Sequence, residues 1–300
     1  MKLPRLMSAD FESSLNLLDD NFVQYMNKDV NSLPDPAGRK KVQVQIFGLL
    51  LVVLLIGINY LISYLTTKGS KGELGESPFP KPPINFLPVW LFFVLLIIWI
   101  LLVLIFRDRG ELYLSRYRGQ LNLNYYIIWL VIETNLFFLT FSYVSLTIFG
   151  TLALVFMVVF IGYAIVRSKL KSLNELLFVI NFKNNKIDNF IQHSLNFIMK
   201  YGWVAVIIIM IWKVLFPNTA GGRTDIVGFI GIITMWFLMN IAVIVVESYL
   251  ILPYLLYGYY QYKYPEEYRE WEGKTQLEWY GEKYFNKHIK GTEKEEKIND

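Results

Sequence analysis

The stretch that decides the fold is Tyr125-Tyr-Ile-Ile-Trp-Leu-Val-Ile-Glu-Thr-Asn-Leu-Phe-Phe-Leu-Thr-Phe-Ser-Tyr-Val-Ser-Leu-Thr-Ile-Phe-Gly-Thr-Leu-Ala-Leu-Val-Phe-Met-Val-Val-Phe-Ile-Gly-Tyr-Ala-Ile-Val166, with Glu133 as its one charged residue. An uncharged apolar run of 18 or more residues is long enough to cross the ~30 Å of bilayer hydrocarbon as a helix. At ~1.5 Å per residue this run would reach about 63 Å, twice that thickness. It therefore reads as two spans, 125–143 and 146–166, joined by a tight turn near Ser142 to Ser145.

Four further apolar blocks flank it, at 45–65, 86–106, 200–216 and 226–250, and the last extends toward Tyr260 past Pro253. In lipid each backbone polar group must be satisfied within its own segment, so each block is expected to be a helix. The expected fold class is an all-α integral membrane protein, a six-transmembrane-helix bundle with cytoplasmic amphipathic helices. Its parts are a cytoplasmic segment at 1–42, a membrane domain at 43–260 and an aromatic, charged tail at 261–300.

Orientation follows from lysine and arginine in the connecting segments. The N-terminal segment, 107–122, 167–200 and the tail from Tyr262 carry 6, 4, 6 and 8 of them, 24 in all. The alternate connections, at 66–85, 142–145 and 217–225, carry 3, 0 and 1, and Lys213 lies inside a span. Both termini are expected in the cytoplasm, and the net charge of +4 belongs to topology rather than to phosphate binding. The first 42 residues hold six acidic side chains, so they are not read as a cleavable signal.

The composition is 54% hydrophobic and 18% charged, which excludes a secreted soluble protein, a disordered chain and a nucleic-acid-binding domain. Cysteine is absent, which removes disulfides, thiolate metal sites and a cysteine nucleophile. Heavy use of Ile, Asn and Lys points to a bacterial plasma membrane.

Chemistry is not legible. The two histidines, His193 and His288, fall in cytoplasmic segments, and no HExxH pair or metal-ligand spacing occurs. The basic loop Arg107, Arg109, Arg116 and Arg118 reads as a positive-inside flank. No catalytic group, cofactor or metal is expected.

Ionisable groups at membrane depth cost ~2.5–3.5 kcal/mol on insertion scales, so each asks for a reason. Helix rise places Glu133 about 13 Å and Lys213 about 20 Å from the cytoplasmic face, a gap that a lysine stem can bridge. A Glu133–Lys213 pair in the bundle interior is expected, either fixing helix packing or lining a proton, ion or substrate path. Glu247 is expected to reach the cytoplasmic interface.

Outside the spans, Phe11, Leu15, Leu18, Phe22 and Tyr25 predict one amphipathic helix packed on the cytoplasmic face. Ser172 and Glu175 have the spacing of a capping box and predict a helix start, with a turn at Asn184-Asn185. In the tail, Tyr264, Tyr268 and Trp271 share one helical face, and Trp279, Tyr280 and Tyr284 follow. They predict either a helix lying in the interface or an aromatic docking surface for a partner. The last ten residues are expected to be unstructured.

Three functions fit this pattern: the membrane subunit of a transport system driven by a separate cytoplasmic ATPase or paired with another membrane subunit, a membrane-embedded immunity or assembly protein, and an enzyme without a recognisable motif. The first is the reading taken forward, with lipid bilayer as solvent and no nucleic acid as partner.

Overall fold

The computed structural model describes residues 3–30, 42–73, 81–106, 111–178, 186–215 and 226–296. These residues are helical, without strands. At the N-terminus α1 (Leu3–Leu6), α2 (Phe11–Leu15), a 3₁₀ turn (Asn16–Asp19) and α3 (Asn21–Val30) follow one another. The long elements are α4 (Val42–Lys71), α5 (Val89–Ile105), α6 (Leu112–Phe178), α7 (Lys186–Leu215) and α8 (Ile226–Val246). A π-helical turn (Glu247–Ile251) leads into α9 (Leu252–Lys263), then α10 (Pro265–Trp271), α11 (Gln276–Tyr280) and α12 (Glu282–His288).

Among the described residues, three helices are long and apolar enough to cross a membrane: Ile46–Lys71, Leu112–Phe178 and Ile226–Lys263. Only 11%, 6% and 6% of their most apolar windows are buried within the fold. Phe47, Phe93, Phe149, Phe156 and Met235 all face outward. Contiguous apolar surface on that scale needs an apolar solvent. The block at 86–106 makes a shorter apolar helix, because Pro88 holds an extended backbone at its N-cap and cannot continue a helix backward through its ring.

The central helix α6 is a hairpin. Thr147 has φ 59° and ψ 169°, and the residues on either side are helical. The neighbours of the two arms prove the reversal. Along 112–146, Phe138 stacks on Trp236 at 4.4 Å, Asn135 bonds to Asn240, and a Cβ at Gly258 would meet the Tyr117 ring at 2.5 Å. As one number falls the other rises, so this arm runs antiparallel to α8 and α9. Along 148–178, a Cβ at Gly162 would meet Ile244 at 2.8 Å, Ile165 packs with Tyr249 and Lys169 Nζ lies 5.0 Å from the Tyr249 ring. Those numbers rise together, so the second arm is parallel to α8. The expected turn at Ser142 to Ser145 is thus displaced to Thr147; Ser142 remains helical, donating from Oγ to the Phe138 carbonyl at 2.6 Å.

Other expectations need correction. No helix begins at Ser172, which lies inside α6 and donates to Asp188 instead of capping. The Asn184-Asn185 turn lies outside the described residues. The N-terminal amphipathic segment is not one helix: Asp10 accepts from Ser13 N to start α2, and Asp20 Oδ1 accepts from Phe22 N and Val23 N to start α3. The side chains it buries most completely are Ser14, Leu17 and Val23, while Tyr25 is exposed. Pro253 is tolerated because the π turn before it re-spaces the ladder where proline lacks an N–H.

Thr147 is a β-branched residue in a region of φ/ψ that glycine occupies freely, a strain of about 1–3 kcal/mol. Thr147→Gly is expected to raise the thermal unfolding midpoint of the detergent-solubilised protein, whereas Thr147→Val leaves it unchanged or lowers it.

Candidate functional site

The first arm of α6 buries two opposite faces, and each carries polar groups. One face presents Tyr126, Trp129, Glu133 and Thr140 toward α4 and α5. Phe92, Tyr126 and Trp129 form its apolar packing with Leu55, Leu96 and Trp99. Tyr126 OH donates toward Leu55 O and Asn59 Oδ1, both 3.1 Å away. Thr140 Oγ1 accepts from Phe86 N at 3.1 Å, stitching the start of α5's leading loop to the arm. The other face presents Asn124, Asn135 and Phe138 toward α8.

On the α8 face Asn124 Oδ1 is buried without a partner among the described residues, but the set around Asn135 is closed. Asn135 Nδ2 donates to Val131 O and Asn240 Oδ1, and its Oδ1 accepts from Trp236 Nε1 at 2.7 Å. Asn240 Nδ2 donates to Trp236 O at 2.9 Å. That set is a closed clamp between helices, a structural role. Glu133 is wholly buried. Its Oε1 accepts from Trp129 Nε1 at 2.7 Å, and its Oε2 has no hydrogen-bond partner among the described residues. Asn59 Nδ2 is in the same condition. The predicted partner Lys213 lies on α7, but its side chain lies outside those described. Glu247 is half-buried beside Asn124, and its Oε1 has no hydrogen-bond partner among the described residues.

The aromatic tail is folded onto the chain itself, which corrects the expectation of a single interfacial helix. Tyr264 OH donates to Ala9 O at 2.9 Å, and Tyr268 OH shares a 2.8 Å bond with Ser14 Oγ. Trp279 stacks on Tyr113 at 4.8 Å. Tyr280 OH donates to Glu266 Oε1 at 2.6 Å and stacks on Tyr284 at 5.3 Å. Trp271 alone of the six stays largely in the open, 52% exposed. The other five rings join Leu6, Leu17, Leu173, Leu177, Tyr254, Tyr257 and Tyr260 in one core that draws on both termini and both ends of α6. Residues 291–296, expected to be unstructured, dock through Gln276 Nε2 to Lys294 O at 2.8 Å and through an Arg269–Glu296 ion pair.

One element of this cap escaped the sequence. Lys169 Nζ meets Asp20 Oδ2 at 2.7 Å, with side chains only 2% and 6% exposed. Lys169 counts among the flanking cations in the sequence, and Asp20 falls on the polar face of the N-terminal amphipathic segment. The signal available was periodic: Lys169 falls on the same helical face as Ile165 and Leu173, which are core positions.

Comparison with protein-family models, with curated proteins and with solved structures finds no match. Among the described residues no group of three or more His, Asp or Glu is placed to hold a metal.

The buried pair should dominate the stability of the cap, because removing one charge strands the other; that costs about 3–5 kcal/mol. Asp20→Asn keeps the helix cap and is expected to open the N-terminal segment to trypsin at Arg5, with Asp20→Asn/Lys169→Met recovering much of the protection. Burial raises the Tyr268 phenol, and burial with the Glu266 carboxylate raises that of Tyr280. An acid whose folded value is raised stabilises the fold below its ordinary range near 10 and loses that contribution as pH rises above it. The cap is therefore expected to open cooperatively in alkali, with tyrosinate absorbance and trypsin cleavage at Arg5 appearing over the same pH range.

Proposed function

We propose that the chain is a six-span membrane protein with both termini in the cytoplasm, and that it serves as the non-catalytic membrane subunit of a transport system. The observation that carries this reading is Glu133, wholly buried on the central arm with one carboxylate oxygen unpartnered among the described residues. An ionisable group held at that depth is expensive, and such groups mark proton and ion pathways. Its neighbours supply what a pathway needs: one donor at Trp129 to hold the carboxylate in place, and further polar groups at Tyr126 and Asn59 on the α4 side. The hairpin supports the topology, since two arms turning at Thr147 bring 111 and 178 to the same end as the N-terminal segment and the tail.

Energy would come from a partner, a cytoplasmic ATPase or a second membrane subunit, meeting the closed cap or the α6–α7 connection. The absence of cysteine makes the topology directly measurable. Single cysteines at Ser8 and Trp271 are expected to react with an impermeant maleimide only after cells are opened, and one at Ser70 in intact cells. For the pathway, Glu133→Gln is expected to abolish proton-coupled or cation-coupled flux in proteoliposomes while the protein inserts and unfolds as the parent does. Unchanged flux in that variant, or none in the parent with its co-purifying partner present, would move the reading to a protector or scaffold.

A further inference from the structure

We infer that the cytoplasmic end of the second α6 arm binds the headgroup of an anionic phospholipid carrying one negative charge. An open groove of about 570 Å³ runs along the arm there, lined by Tyr163, Val166, Arg167, Leu170, Lys171, Asn174 and Glu175 of α6.

Depth along the arm selects the occupant. Arg167 follows Thr147 by 20 residues (167 minus 147), about 30 Å of helix, which is the thickness of bilayer hydrocarbon. Tyr163, one turn nearer the turn point, and Val166 keep exposed apolar surface where acyl chains end. Arg167 and Lys171 come next, at headgroup level. Such a gradient from apolar to basic within two helical turns matches a lipid better than a soluble anion.

The polar lining points to the same ligand. Arg167 stands over the Tyr163 ring at 5.9 Å and donates to the Tyr163 hydroxyl at 3.4 Å. Among the described residues no carboxylate lies within ion-pair distance of it. A guanidinium in this position offers a two-pronged face to a phosphate. Lys171 is shared with Glu175, 3.6 Å away, so two cations and one carboxylate leave a net charge of about +1. A phosphodiester carries −1 and fits that balance. A phosphomonoester would be under-neutralised. The independent observation is Asn174, which lines the groove, is 8% exposed, and has an Oδ1 with no hydrogen-bond partner among the described residues. That oxygen has no accessible surface as packed, so it meets a donor only when the Asn174 amide turns toward the groove, where a phosphatidylglycerol hydroxyl supplies one.

This inference rests on the reading that the second arm crosses the bilayer, and the topology labelling above tests that separately. The full chain, purified in mild detergent and depleted of lipid, would be titrated with dioctanoyl phosphatidylglycerol, with dioctanoyl phosphatidylcholine and with inorganic phosphate, following thermal unfolding and native mass spectrometry. Phosphatidylglycerol is expected to raise the unfolding midpoint and to remain bound as one adduct, at affinity at least tenfold above phosphatidylcholine. Arg167→Gln should lose that preference, Arg167→Lys should keep part of it, and Asn174→Leu should weaken phosphatidylglycerol without changing phosphatidylcholine. Equal response to both lipids in the parent would overturn the site, as would a tenfold preference surviving in Arg167→Gln. A response reproduced by inorganic phosphate alone would reassign the ligand to a soluble anion and overturn the lipid. The parent's two-lipid comparison decides the matter even if a variant fails to fold.

Discussion

The reversal at Thr147 is the constraint on which the rest of the structure depends. A helix of 67 residues kept straight would hold its two ends about 100 Å apart. Turned back on itself, it sets both arms against α8, one antiparallel and one parallel. It delivers Tyr113, Tyr117, Leu173 and Leu177 to a single end of the molecule, where the termini fold over them. The turn lies in a sparsely populated backbone region at a non-glycine residue, so packing on either side must over-determine it. That packing is visible in Phe138 on Trp236 and in the Gly162–Ile244 approach.

Two solvents then call for two kinds of cohesion. Between apolar helices in lipid the hydrophobic effect gives little, because acyl chains solvate leucine as well as leucine does. What holds the α6 and α8 helices in register is shape and interhelical hydrogen bonding, as in the Asn135–Trp236–Asn240 set. At the cap, water is the alternative solvent, and burying Tyr254, Tyr257, Tyr260 and Tyr268 is favourable by the ordinary hydrophobic effect. Those phenols also need partners, and the N-terminal segment supplies them: Ala9 N donates to Tyr260 OH at 3.1 Å, and Ser14 meets Tyr268. The N-terminus and the tail are therefore one folding unit, separated by most of the chain.

What the sequence could reveal divides along the same line. Long uncharged runs disclose apolar helices because lipid imposes a pattern that no soluble domain shares, and α4, α8 and both α6 arms follow it. Pro88 shortened α5 and Thr147 moved the turn, each through backbone geometry that hydropathy does not register. The cap was misread in its details because tyrosine is ambiguous: an interfacial belt and a water-built core use the same amphipathic ring. Only long-range pairing distinguishes them, such as Tyr268 with Ser14 or Lys169 with Asp20, and pairing across 149 residues leaves no local trace. The Ser172–Glu175 spacing failed for a related reason, since a capping box acts only where the chain before it is not already helical.

Glu133 and Asn135 show why polar residues two positions apart on one helix are assigned different work. Both lie in the same apolar stretch, and from the sequence either can hydrogen-bond between helices. Asn135 uses its amide hydrogens on two acceptors and its oxygen on an indole. Its alternatives are worse than its present state, so it has no reason to exchange partners. Glu133 holds one bond, from Trp129, and keeps a second oxygen without a described partner. A carboxyl group in that state gains from a proton, a cation or a lysine. Incomplete satisfaction of a buried carboxylate is a cost that the packing described around Glu133 does not offset, whereas the three bonds of Asn135 offset that of its amide.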